Sequence, residues 1–265
     1  IQQTIQNIQQ TIQNIRNIMQ QKLAEKRAAG VLEKLILVDF CAGCGHSSLP
    51  LAYLYPESLE VIILENKQRS LEVAHRRAVE CNLKNVICLQ SNLENYYSKF
   101  DIGIALHACG PATDMVLDKI RVSNASFVVV PCCYGRIATL AYTSDVFSKE
   151  GQARKEKSHE KIHNENENNK FELANQKSSQ NLSIFPKSEV MRELKIDKDK
   201  FCLLSRAADM DQAKGYEAVA KKAMKMVDWD RLFWMGKNEY KELELFLMYP
   251  EVCATKNHVL VGLAN

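Results

Sequence analysis

The sequence predicts an α/β protein, a doubly wound and mostly parallel sheet of seven strands that closes with an antiparallel pair. Two observations carry this. Between Leu35 and Arg136, short and nearly continuous apolar runs alternate with amphipathic helical patterns. That is the rhythm of strands buried on both faces and joined by crossover helices. Near the end, E-L-E-L-F-L-M-Y-P and N-H-V-L-V-G-L-A follow one another, which suits two antiparallel strands at a sheet edge.

Taken in order, the chain opens on I-Q-Q-T-I-Q-N, repeated once and then degraded to I-R-N-I-M-Q-Q. Ile1, Ile5, Ile8, Ile12 and Ile15 step by four and three, the seam spacing of a heptad helix. Isoleucine at both seam positions points to an oligomer or a partner contact through this helix. About three heptads are marginal alone, so a tract that turns helical only when packed is the equal alternative. Residues 1–30 are assigned to this segment. K-L-I-L-V-D-F, E-V-I-I-L-E-N, N-V-I-C-L-Q, F-D-I-G-I-A-L and S-F-V-V-V then read as five parallel strands. Between the second and third, Leu71, Ala74, Ala78 and Cys81 share one helix face. Residues 144–183 are rich in Lys, Glu, Asn, Gln and Ser and cannot bury enough apolar surface to offset chain ordering. They read as a disordered insertion dividing one domain into residues 31–143 and 184–265. After it come a short apolar run at Phe201–Ser205, a helix over Ala213–Val227 and the closing strand pair.

Composition sets the outer bounds. A chain of 265 residues that is 46% hydrophobic holds one domain with a sizeable core and some appended material. A net charge of +3, from 35 basic and 32 acidic residues, neither requires nor excludes a nucleic-acid partner. Several of the nine cysteines sit in apolar runs, Cys88 and Cys202 among them, and read as buried reduced thiols of a cytoplasmic or nuclear protein. No apolar stretch reaches the roughly 20 residues needed to cross a bilayer. Ile1 in place of methionine is what a fragment of a longer chain is expected to show.

The chemistry concentrates where the first strand ends at Asp39 and enters F-C-A-G-C-G-H. Gly43 and Gly45 let the backbone turn sharply and approach a ligand. The spacing D-x-x-x-G-x-G departs from the G-x-G-x-x-G dinucleotide fingerprint, which makes a nucleotide-dependent oxidoreductase a distant reading. It matches the loop in which methyltransferases hold S-adenosylmethionine. Glu65 ends the next strand about 20 residues on, where an acid accepts both ribose hydroxyls. Asn92 follows the third strand, at the place of an adenine-binding polar group.

V-D-F-C-A-G-C-G-H, A-L-H-A-C-G-P-A-T-D-M and P-C-C-Y-G together resemble the methyltransferase-like C-terminal region of the glutathione S-transferase C-terminal domain-containing proteins. F-P-K-S-E and K-N-H-V-L-V-G extend the similarity, which covers about Leu35 to Gly262 without the insertion. More distantly the chain is similar to predicted RNA methyltransferases with an H-T-C-G and C-C-Y pair. The resemblance implies a Rossmann-like class I methyltransferase fold and S-adenosylmethionine as cofactor. The expected cofactor residues are Asp39, Cys41, Gly43, Gly45, Glu65, Asn66, Asn92, Leu106 and His107. Cys41 stands where methyltransferases often have glycine.

The loops after strands one, four and five are neighbours in the usual strand order. They bring Cys41, Cys44, His107, Cys109, Cys132, Cys133 and Tyr134 toward one mouth. Three chemistries stay open. His107 or Tyr134 orients and deprotonates the acceptor, with Pro131 and Tyr134 shaping a slot for it. Cys109 with Cys132 or Cys133 attacks the acceptor as a thiolate, as in cytosine C5 methyltransferases. Thiolates and imidazole hold zinc, although C-A-G-C lies inside the cofactor loop, where a metal would compete, and no metal is expected. Packing roles for single cysteines, and a backbone-satisfying role for His107, are the plain alternatives. The expected function is methylation of RNA, or of protein; a non-catalytic scaffold or binding module on the same fold is the alternative.

Overall fold

The computed structural model describes residues 2–28, 30, 33–139, 184–236, 239–248 and 256–265, with backbone alone at 2–12, 27 and 107. The expected insertion at 144–183 lies outside the described residues. The chain divides into two compact units, Ile1–Cys132 with Met235–Asn265, and Cys133–Trp234.

The first unit holds the whole sheet. Strands β1 (Leu35–Phe40), β2 (Leu59–Glu65), β3 (Val86–Gln90), β4 (Ile102–Ala108) and β5 (Ser126–Pro131) pair in parallel. β6 (Tyr240–Leu247) and β7 (His258–Ala264) run antiparallel, and the order across the sheet is β3-β2-β1-β4-β5-β7-β6. The sheet is therefore the seven-stranded one expected, with β7 inserted between β5 and the edge. Buried strands are apolar along their length, whereas the edge strand β3 leaves Ile87 and Leu89 exposed and Cys88 half-buried. Among the described residues no helix is long and apolar enough to cross a membrane.

Helices cover both faces, as alternating side-chain direction along a buried strand requires. Helices α1 (Gln2–Ala28), α2 (Ser48–Leu54) and α3 (Gln68–Glu80) meet Leu35, Leu37, Val61 and Ile63 in one core. Leu71, Ala74 and Ala78 of α3 face inward as their spacing predicts, while Cys81 just beyond is exposed. On the other face, Phe40 meets Tyr96 and Phe100 edge-on at 5.7 and 5.4 Å, and α4 (Pro111–Ser123) covers β4 and β5.

The heptad seam meets this sheet. Ile15, Ile18 and Met19 are buried in the core, and α1 packs on β1 and β5. Lys22 donates to the Ala264 carbonyl at 2.9 Å, Lys26 pairs with Asp101 at 3.2 Å, and Glu25 pairs with Lys241 at 2.7 Å. The described part of the apolar stripe thus covers the chain's own strands. The side chains of Ile1, Ile5, Ile8 and Ile12 lie outside the described residues.

Gly262 of β7 shows how tightly the far face is packed. A Cβ there would overlap Cε1, Cδ1 and Cζ of Phe127, whose ring is held edge-on to Tyr240 at 5.5 Å. Overpacking of this kind costs about 1–3 kcal/mol. Gly262→Ala is expected to lower the unfolding free energy by that much, read as a lower urea midpoint with an unchanged m-value.

The second unit is helical among its described residues, with α5 (Glu189–Glu193), α6 (Lys198–Ala208) and α7 (Glu217–Met235) around Phe185, Phe201, Met224 and Val227. The apolar run Phe201–Ser205 lies on α6, which buries Phe201, Cys202, Ser205 and Ala208 and leaves Leu203 exposed; Asp197 caps its N-terminus by accepting from the Lys200 amide at 2.9 Å. α7 starts four residues later and runs eight residues further than the expected 213–227. Gly215 turns at φ +85° and donates to Glu217 at 3.1 Å, and Gly236 at φ +87° follows the helix.

Candidate cofactor site

β1 delivers the chain into a turn that its composition makes possible. Cys41, Gly43 and Gly45 take φ values of +56°, +57° and +72°. This left-handed region suits glycine and costs an ordinary residue roughly 1 kcal/mol. Cys41 nevertheless keeps the backbone course a glycine would take and adds a side chain to it. The turn closes through Gly45 N–H to the Ala42 carbonyl, and Leu49 N–H to the Gly45 carbonyl opens α2, both at 3.0 Å. A Cβ on Gly45 would press on Leu49 and Ile63, whereas one on Gly43 would meet nothing within 4 Å. Gly45 is therefore a packing glycine, and Gly43 borders open space.

Glu65 ends β2, mostly buried, and the loop holds it in place. Gly43 N–H donates to its Oε2 at 2.8 Å and Lys67 N–H to its Oε1 at 2.9 Å. Each carboxylate oxygen keeps a further lone pair. Asn66 Nδ2 reaches Asn92 Oδ1 at 3.4 Å, and Asn92 caps a 3-10 turn at Leu93–Asn95. Cys41, Glu65, Asn66 and Asn92, with Leu93, Ala112 and Met115, line a cavity of about 310 Å³ at the carboxyl ends of β1, β2 and β3. It lies beside the switch between β1 and β4, where open α/β sheets hold ligands.

Two groups here have unusual protonation. Asp39 is buried, and desolvation raises its carboxyl to about 7, with Ser48 opposing and the Glu65 charge adding to the shift. Ser48 lies close, yet Asp39 Oδ2 and Ser48 Oγ have no hydrogen bond of good geometry, so desolvation prevails. Burial, aided by Glu65 and Asp39, pushes the Cys41 thiol up to about 12. Cys41 is accordingly a neutral wall of the cavity, poorly suited to act as a nucleophile.

At the end of β4 the register shifts between Leu106 and Ala108, and Thr113 Oγ1 donates to the Ala108 carbonyl. Leu106 is half-buried; the His107 backbone lies at the irregularity and its side chain lies outside the described residues. Cys109 is exposed before Gly110, which caps α4, and its Sγ lies 2.9 Å from Cys132 Sγ beyond β5.

A model of the methyltransferase domain matches residues 3–140. The chain belongs to the methyltransferase domain family. The glutathione S-transferase C-terminal domain-containing protein of Mus musculus is 34% identical over 229 residues, covering 85% of this chain and 29% of that protein. The Xenopus laevis protein is 33% identical with 85% and 30% covered, and the Drosophila melanogaster homolog is 32% identical over 233 residues with 85% and 32% covered. The chain thus spans about three tenths of the length of the curated relatives it matches. A precorrin-6y C5,15-methyltransferase from Geobacter metallireducens overlays 54% of this chain and 70% of its own at 14% identity and a TM-score of 0.36.

Within this methyltransferase domain the expected residues fall into groups. Cys41, Glu65, Asn66 and Asn92 line one cavity, with Gly43 bonded to Glu65; Asp39, which is buried, and Gly45 do not line it. Cys109 and Cys132 stand together at the ends of β4 and β5, while Cys133 begins the second unit, half-buried. Tyr134 differs from expectation. It is fully buried inside the second unit, its hydroxyl donates to Asp228 Oδ2 at 2.7 Å, and Arg231 lies over its ring at 5.5 Å. With its face and its hydroxyl both engaged, Tyr134 has no surface to offer an acceptor. Ser48, Leu93, Ala112 and Met115 went unmarked in the sequence because they reach the site through helix and turn geometry, which leaves no motif.

Proposed function

We propose that this domain is an S-adenosylmethionine-dependent methyltransferase whose acceptor is RNA, with protein as the second acceptor class. The observation that carries the cofactor reading is Glu65, fixed by the Gly43 and Lys67 amides at the edge of the cavity. RNA stands ahead of protein because of the distant similarity of H-A-C-G and P-C-C-Y to predicted RNA methyltransferases. A cytoplasmic or nuclear setting belongs to the same proposal.

The residues suit the group. A carboxylate with spare lone pairs matches a ribose diol, and the amides of Asn66 and Asn92 match the edge of adenine. Leu93 and Met115 supply apolar walls, and Gly43 leaves room beside the loop. Asp39, buried with Oδ2 unpartnered, offers negative charge behind the loop. The bound cofactor supplies an electrophilic methyl group on a positive sulfonium. This chain's part is to orient the acceptor at the mouth formed by β4 and β5, where His107 is proposed to take the acceptor's proton.

Calorimetric titration with S-adenosylmethionine, S-adenosylhomocysteine and NAD tests this. Micromolar binding of the first two and none of NAD is expected. Glu65→Ala should weaken both by more than tenfold, about 1.4 kcal/mol. Glu65→Gln, which keeps an acceptor for the Gly43 amide, separates lost diol contacts from a loosened loop. Absence of binding to either ligand would instead support a scaffold built on the fold.

A further inference from the structure

Cys109 and Cys132 are a feature of the mouth that methyl transfer by positioning leaves unused. Their proximity is visible in the backbone and in the side chains. Ala108 and Pro131 are register partners on adjacent parallel strands, so the residue after each lies on the next rung. Neighbouring strands run about 4.8 Å apart, within the roughly 4.4–6.8 Å between Cα atoms that a disulfide spans. The side chains agree, with Sγ atoms at 2.9 Å, about 0.9 Å beyond a disulfide bond length. Cys109 is exposed and open to a reagent, whereas Cys132 is half-buried beside it. An exposed thiol with a second thiol in reach is the arrangement of an attacking and a resolving cysteine.

We propose that Cys109 and Cys132 form a reversible dithiol modification site that reacts with small disulfides of the glutathione type. The Cys109 thiolate attacks one sulfur of the small disulfide, forming a mixed disulfide and releasing one small thiol. Cys132, as thiolate, attacks the Cys109 sulfur of that adduct and displaces the second small thiol. The protein loses two hydrogens in all, and one small disulfide is reduced to two thiols. The bridge ties the end of β4, and with it the capped start of α4, to the end of β5. Ala112 and Met115 of that helix line the cavity, so the modification acts on the wall of the cofactor site.

The test is incubation of the chain with oxidised glutathione, followed by alkylation, intact mass and peptide mapping. The expected product has lost two hydrogens and carries a Cys109–Cys132 linked peptide, and reduced glutathione reverses it. Cys132→Ser should stop at a stable glutathione adduct on Cys109, while Cys133→Ser should still form the bridge. Closing a loop of this size should raise the thermal midpoint by about 5 °C or more, an effect absent from Cys109→Ser under the same oxidant. A stable adduct on the parent protein, a bridge that uses Cys133, or an unreacted pair would each overturn the proposal.

Discussion

Asp228→Ala is expected to lose about 3–5 kcal/mol of stability, a large effect for a single substitution. Asp228 and Arg231 are both fully buried, one turn apart on α7, and their charges meet at 2.9 Å. The second carboxylate oxygen accepts the Tyr134 hydroxyl at 2.7 Å. Removing the carboxylate takes from the buried Arg231 the charge it meets at 2.9 Å and from the Tyr134 hydroxyl the acceptor at 2.7 Å, and both penalties act together. Asp228→Asn should fall between parent and alanine, since it still accepts from Tyr134 but no longer neutralises Arg231. Tyr134→Phe should lose only about 1 kcal/mol. Urea unfolding of the three variants gives the order. If Asp228→Ala unfolded with the parent, the pair would contribute nothing, and the buried charge would have to be balanced elsewhere.

Tyr134 also marks where the sequence stops being informative. P-C-C-Y-G follows a strand, and loops after parallel strands carry function, so the tyrosine was expected at the mouth. Its partner Asp228 lies 94 residues away on a helix of the second unit, and nothing local to the motif announces it. Asp209 is similar: it accepts the Tyr134 and Gly135 amides at 2.7–3.2 Å from 74 and 75 residues away. F-P-K-S-E likewise proves structural. Ser188 caps α5, and Asp230 accepts the Lys187 and Ser188 amides at 2.8 Å. Glu65 was legible for the opposite reason. Strand length, the acid at its end and the distance to the glycine turn are all local, and parallel pairing of β1 with β2 carries that distance into space. The isoleucine stripe was legible as a stripe, but periodicity does not say what covers it, and Ile15, Ile18 and Met19 are covered by the chain's own sheet.

Asp39→Asn is expected to stabilise the cofactor-free protein above pH 7, by on the order of 4 kcal/mol at most. Burial raises the carboxyl from an ordinary 3.8 to about 7, and each tenfold change in a protonation equilibrium is worth about 1.4 kcal/mol. The folded state therefore holds a proton that the unfolded state releases near pH 4. Stability contributed by Asp39 falls as pH climbs from about 4 to about 7 and is flat above. Asparagine, which resembles the protonated acid, removes that slope, so the variants should match near pH 4 and diverge by pH 8. Thermal midpoints at several pH values decide this; a constant offset at every pH would show that Asp39 acts through shape alone. An acid that weakens its own fold at neutral pH calls for a compensating contact, and under the proposed function a positively charged cofactor provides it. Binding should then favour the ionised carboxylate, release protons and tighten as pH rises toward about 7 in the parent. Asp39→Asn should bind more weakly and lose that dependence, so that one substitution strengthens the empty protein and impairs the occupied one.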